Sequence, residues 1–165
     1  MPLTSKIRFY DPEWPCRFDE EAARLRSIFG GNLIALHHVG STAVPGLAAK
    51  PEIDILVVVN SLESCDHWTA QLHDLGYMRG KDLSLGHLFY RRNVHGLRTH
   101  KIHVCVEGHA QVQAMLRFRD LLIADQHLRE QYQTLKFKLE RENTNGIGEY
   151  LERKEPFILA ALKQG

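Results

Sequence analysis

The sequence predicts an α+β fold: a mixed β-sheet preceded by one helix and closed by a helical block. Three observations predict it. Ile53–Val59 is a β-branched, almost wholly apolar run, as expected of a central strand covered on both faces. Before that run, apolar residues recur at helical spacing, and from about Gln111 onward they do so again in three successive stripes. The chain of 165 residues, 44% hydrophobic and 25% charged, contains no internal repeat, low-complexity tract or Gly/Ser linker, so residues 1–165 read as one domain.

In chain order, Phe18, Ala22, Leu25, Ile28 and Phe29 mark a helix over 17–29, stopped by Gly30-Gly31. Trp14 and Phe18 read as packing anchors. Leu33–Leu36 is a short strand running into His37-His38-Val39, followed by a loop from Gly40 to Pro51 and the central strand. Asn60-Ser61 is placed to cap a helix over 62–75, ended by Gly76. Three further strands are expected around Tyr77-Met78, His87–Arg92 and Lys101–Val106, the last two joined as a hairpin across Asn93–Thr99. The helical stripes are Val112/Met115/Leu116/Leu122, Leu128/Tyr132/Leu135/Leu139 and Ile147/Tyr150/Leu151/Ile158/Leu162. Pro156 is expected to kink or divide the third. Tyr132 reads as core, and Lys136, Lys138 and Arg141 as a solvated face.

Three scattered cysteines, Cys16, Cys65 and Cys105, form no CxxC, which argues against a disulfide framework and suits a reducing compartment. The first residues lack the apolar core of a signal peptide, and no run approaches the roughly 18 apolar residues of a membrane span. These features point to a cytoplasmic chain with no membrane partner. A net charge of +1 provides no long-range field for a polyanion, so there is no strong nucleic-acid signal.

The chemistry concentrates between His38 and Asp54. A strand ends in Gly40-Ser41, a short loop follows, and an apolar strand then delivers a carboxylate. Gly40 lets the backbone approach a phosphate, and Ser41 and Thr42 add hydroxyls to a small anion nest. Asp54 is placed to hold a divalent metal, magnesium or manganese, on a triphosphate. This spacing resembles that of polymerase-beta-like nucleotidyltransferases. The longer string HVGSTAVPGLAAKP, with Tyr10–Trp14 before it and His87–Arg91, His100–Val104 and Phe118-Arg119-Asp120 after it, resembles the bacterial GrpB family over nearly the whole chain. Some relatives in that family are fused to dephospho-coenzyme A kinase. The resemblance implies a nucleotidyltransferase fold.

Against that pattern, Leu56 stands where the second carboxylate of Asp-x-Asp belongs. Glu52 shares the strand face but comes a step early. The later strand offers His103, with Lys101 and Cys105, in place of a third carboxylate. The expected site therefore comprises Asp54, His38 and His103 as catalytic groups, Asp54 and His103 as metal ligands, and Gly40, Ser41, Thr42, Arg91 and Lys50 at the phosphates. Lys50 or an arginine is alternatively a structural ion-pair partner for Asp54, and Arg98 is a further anion contact. Three functions compete: nucleotidyl transfer from a bound nucleotide or phosphoester, binding of a nucleotide or coenzyme A-type ligand without transfer, and hydrolysis at a metal held by His38, His100, His103 and Asp54. His67, His73, His109 and His127 fall without partners at ligand spacing.

Overall fold

The computed structural model describes residues 5–164. Helix α1 (Trp14–Phe29) has Pro15 in its first turn, where a missing N–H costs nothing, and Gly30 after its end. It buries Trp14, Ala22, Leu25 and Phe29. Strand β1 (Leu33–Val39) runs into a single 3₁₀ turn at Ser41–Ala43, and β2 is Ile53–Val59. Helix α2 (Cys65–Asp74) starts three residues later than expected, because Ser61 Oγ accepts from Glu63 N (3.1 Å) and holds a turn there instead of capping a helix. Strands β3 (Tyr77–Arg79), β4 (His87–Val94) and β5 (Leu97–Val106) follow. The β4–β5 connection is tighter than the expected 93–99 loop. His95 and Gly96 both take positive φ (53° and 78°), the backbone of a two-residue hairpin turn.

Helix α3 (Ala110–Ala124) and α4 (Gln126–Glu142) are separated at Asp125, whose side chain caps α4 by accepting from Leu128 N at 3.0 Å. Helix α5 (Ile147–Lys163) runs unbroken through Pro156. The carbonyl that loses its partner there belongs to the exposed Glu152, where water can satisfy it.

The sheet order is β1-β2-β5-β4-β3, with β2 and β5 parallel and the other pairs antiparallel. One face, carrying Ile53, Ile55, Val57, Ile102 and Val104, packs on α1 and α2 around Leu25, Phe29, Trp68 and Leu72. Buried Glu21 stitches α1 to that face, accepting from Tyr77 Oη (2.9 Å) and Arg92 (3.2 Å) while also meeting Arg24 (2.8 Å). The opposite face carries Val39, Leu56, Val58 and Cys105 against Val112, Met115 and Leu116 of α3. Helices α4 and α5 cover the 44–50 loop. Val44 and Leu47 pack with Leu122 and Tyr132, and Ala48 with Leu139 and Tyr150. Among the described residues, no helix is long and apolar enough to cross a membrane.

Candidate functional site

Strand alternation puts Asp54 on the α3 side of the sheet, at the end where the loop after β1 returns. Gly40 has φ 76° and ψ −176°, a conformation open to glycine alone, and a Cβ there would collide with Asp54 Oδ2. The backbone turn and the carboxylate are therefore fitted to each other. Thr42 is buried and donates its hydroxyl proton to the Glu52 carbonyl at 3.0 Å. It must then accept from His38 Nε2 (2.9 Å), which fixes the tautomer of that ring. Arg119 of α3 donates to the His38 carbonyl (3.1 Å) and so pins the end of β1 just before Gly40.

The parallel register sets Lys101 beside Asp54. Its Nζ lies 3.4 Å from Asp54 Oδ1 and 3.5 Å from Glu52 Oε2. Burial alone would lower this amine, but Asp54 and Glu52 together hold it above its ordinary value. Asp54 Oδ1 is buried and makes no hydrogen bond within the described residues.

Three more lysines face these carboxylates, and all four line one pocket with Ser41, Thr42, Glu52, Asp54 and Tyr150. Lys50 lies 4.3 Å over the Tyr150 ring. Lys136, expected on a solvated face, is only 2% exposed and donates to the Ala48 carbonyl at 2.6 Å. Lys154 lies 4.7 Å over the Tyr150 ring; burial, then Lys101 and Lys50, bring its amine down to about 7 against the pull of Asp54. Lys136 is lowered as well, by burial and then by Lys154 and Lys50. Four amines thus crowd two carboxylates, and their mutual repulsion is relieved by an incoming anion. Tyr132/Lys136 and Tyr150/Lys154 repeat one signal that the sequence carried: a lysine one helical turn after a stripe tyrosine, on the buried side.

A second, mainly apolar cleft of about 380 Å³ adjoins this pocket and shares Ser41, Asp54 and Lys154 with it. Met115 and Phe118 of α3, Tyr132 of α4 and Ile158 of α5 form its walls, and Arg119 stands at its edge. The joined cavity suits a ligand with an anionic end and an apolar arm.

Gly40, Ser41, Thr42, Asp54 and Lys50 converge as expected. Other expected members do not. His38 lies on the opposite sheet face, paired with Ile55 and stacked on Phe18 at 4.8 Å; burial lowers its pKa to about 4. It supports Thr42 rather than facing the pocket. His103 sits on the strand next to Asp54 and on the same face, but the register places it beside Leu56 and its Nδ1 meets His87 Nε2 at 2.9 Å. It lines neither cavity, and its ring is engaged by His87 rather than by the Asp54 pocket. Arg91 also shares the face, but β5 separates its strand from β2, and it lines neither cavity. Arg98 bonds Asn93 at 2.8 Å. His100 faces α1, bonded to Arg92 (3.0 Å), so His38, His100, His103 and Asp54 cannot form one centre. The groups that could hold a divalent ion in this pocket are Asp54 and Glu52, both ion-paired to Lys101. Two carboxylates are the oxygen ligands that this pocket offers a hard cation.

The fold is of the nucleotidyltransferase class: the chain superposes on the nucleotidyltransferase Cid1 in complex with its short product ApU with a TM-score of 0.55 over 82% of this chain and 43% of Cid1, at 14% identity. The chain belongs to the GrpB family, whose model, described as "GrpB protein", matches residues 4–164. The crystal structure of GrpB from Enterococcus faecalis is similar at a TM-score of 0.87 and 32% identity, covering 96% of this chain and 98% of that one. UPF0157 protein YqkA of Bacillus subtilis is 34% identical over 157 residues, 94% of this chain but 46% of the relative. A dephospho-CoA kinase of Mycolicibacterium paratuberculosis is 30% identical over 179 residues, 93% of this chain and 44% of the relative. The chain therefore spans about half the length of both these relatives.

Proposed function

We propose that the lysine-rich pocket binds the phosphates of a nucleotide or related phosphoester, and that this chain is a ligand-binding domain rather than a competent nucleotidyltransferase. The observation that carries the reading is the convergence of Lys50, Lys101, Lys136 and Lys154 on the Gly40–Thr42 turn and Asp54. Ser41 and Thr42 close the pocket from the loop side, and Lys101 and Lys154 meet the phosphate charge. One magnesium or manganese ion arriving on the phosphates would be held by Asp54 and Glu52, and would neutralise phosphate charge. Transfer is disfavoured because Leu56, fully buried, leaves the attacking and leaving oxygens without a second metal clamp.

A more specific version draws on the adjoining apolar cleft. A coenzyme A-type molecule combines phosphates with a long, largely apolar arm, and the joined cavities offer a place for each. The kinship with dephospho-CoA kinases supports the same class of ligand.

Calorimetric titration of the protein with magnesium–ATP and with coenzyme A tests both versions. The expected result is saturable binding of at least one of them, with Asp54→Ala removing the magnesium dependence and keeping the fold, since Lys101 retains Glu52. Steady release of pyrophosphate from ATP by the wild type would overturn the binding-domain reading.

A further inference from the structure

The far end of the same sheet face carries a second group of ligating side chains, unrelated to the lysine pocket. His87 begins β4, Cys105 lies opposite it in the β5 register, and His109 is the residue that caps α3. One ligand atom from each lies within 4.8 Å of the others. We propose that His87, Cys105 and His109 form a binding site for a divalent transition metal of the zinc class.

The donor chemistry selects the ion. One thiolate and two imidazoles suit zinc, copper or nickel and are poor partners for magnesium or manganese, so this site and the carboxylates at Asp54 take different metals. Ligand atoms on a tetrahedral zinc lie about 3.3–3.8 Å apart, given bonds of about 2.0–2.3 Å. Closing from 4.8 Å asks for a shift of about 1 Å, which half-exposed His109 can supply by rotation.

Both histidines already have Nε2 engaged, His87 with His103 Nδ1 at 2.9 Å and His109 with Ser84 Oγ at 2.9 Å. Each therefore has Nδ1 to offer, and the existing bonds become the outer shell that fixes the ring orientations. His109 Nδ1 accepts from Gln111 N (3.1 Å) at present; on metal binding that N–H passes to water, which exposed Gln111 allows. The Cys105 thiol gives its proton to solvent as the metal–sulfur bond forms, and a water fills the fourth position.

The three ligands come from β4, β5 and the first turn of α3, so the ion would tie α3 to the sheet. Helix α3 supplies Gln111, Met115 and Phe118 to the apolar cleft, and metal loading would therefore set the position of one wall of the ligand site.

Cobalt(II) titration of the chelator-treated full chain tests the assignment, with zinc as competitor. The expected result is one equivalent bound, with a thiolate-to-cobalt charge-transfer band and the intense visible absorption of four-coordinate cobalt, both removed by zinc. Cys105→Ser abolishes the charge-transfer band, His109→Ala abolishes tight binding, and His103→Ala weakens it about 10–100-fold. Zinc raises the melting temperature of the wild type but not of His109→Ala. Cys105 is fully buried, so the fold of its variant is checked by circular dichroism; if it does not fold, His109→Ala carries the test alone. A wild type without the thiolate band overturns the proposal, as does a band that survives in His109→Ala, which would place the cobalt on Cys16 or Cys65.

Discussion

Replacing Lys154 by methionine should stabilise the fold while weakening ligand binding, a combination expected only of a site lysine held at a cost. The side chain keeps its length and its apolar contact with Tyr150 but loses the charge. A lysine brought from 10.5 to about 7 by burial and by its neighbours penalises the folded state by up to about 5 kcal/mol below pH 7. Water still reaches this half-buried side chain and the attraction to the Tyr150 ring is lost, leaving a net gain of about 1–2 kcal/mol for Lys154→Met at pH 6. A folded-state pKa below the unfolded one means that the unfolded chain binds more protons between pH 7 and 10.5. Wild-type stability therefore rises with pH across that window relative to the variant. The variant's advantage is complete below pH 7 and gone near pH 10.5. Urea unfolding of both proteins at pH 6, 8 and 10 measures it. A variant less stable than wild type at pH 6, or a difference that does not change with pH, would refute the reasoning.

Other substitutions separate the site from the scaffold. Gly40→Ala should lower stability by about 1–3 kcal/mol and abolish nucleotide binding, because alanine disfavours this backbone and its Cβ displaces the Asp54 carboxylate; thermal melts beside titrations measure both. Leu56→Asp, which on sequence grounds alone would rebuild a carboxylate pair, should instead destabilise the fold by about 3 kcal/mol or more without creating transferase activity. Leu56 is fully buried among Val39, Val58, Cys105 and α3, and a carboxylate there has no partner. Glu21→Gln should cost about 1–3 kcal/mol by weakening the charge-assisted bonds to Arg92 and Tyr77, yet leave ligand affinity unchanged, since it acts on the opposite sheet face; a parallel loss of affinity would show that the two faces are coupled.

The parts of the fold written in local pattern were legible in the sequence. The apolar run Ile53–Val59 reads as a central strand because both its faces are covered, and Gly40-Ser41 followed by Asp54 reads as a loop closing on a carboxylate. What could not be read locally was strand register. A shift of two residues decides whether Lys101 or His103 lies beside Asp54, and only the β2–β5 pairing fixes it. Face assignment misled in the same way at His38, which shares its side with Ile55 rather than with Asp54. Lys136 and Lys154 were hidden because charges on amphipathic helices ordinarily face water; their burial follows from how α4 and α5 dock on the 44–50 loop. His109 gains its partners only because β4, β5 and the start of α3 meet at one end of the sheet.

The central claim is that phosphate binds against Lys154 beside Asp54, and proton linkage tests it most directly. At pH 8 the Lys154 amine, lowered to about 7, is largely neutral in the ligand-free protein, and a bound phosphate would raise its pKa and draw a proton onto it. Calorimetric titrations with magnesium–ATP or coenzyme A at pH 8, in buffers of different ionisation enthalpy, should show uptake of close to one proton per ligand, on the order expected from linkage. Lys154→Met should take up markedly fewer protons, the remainder coming from the other lowered amines, Lys136 and Lys50. Binding without proton uptake would place the phosphates elsewhere, and an absence of binding by either ligand would contradict the account.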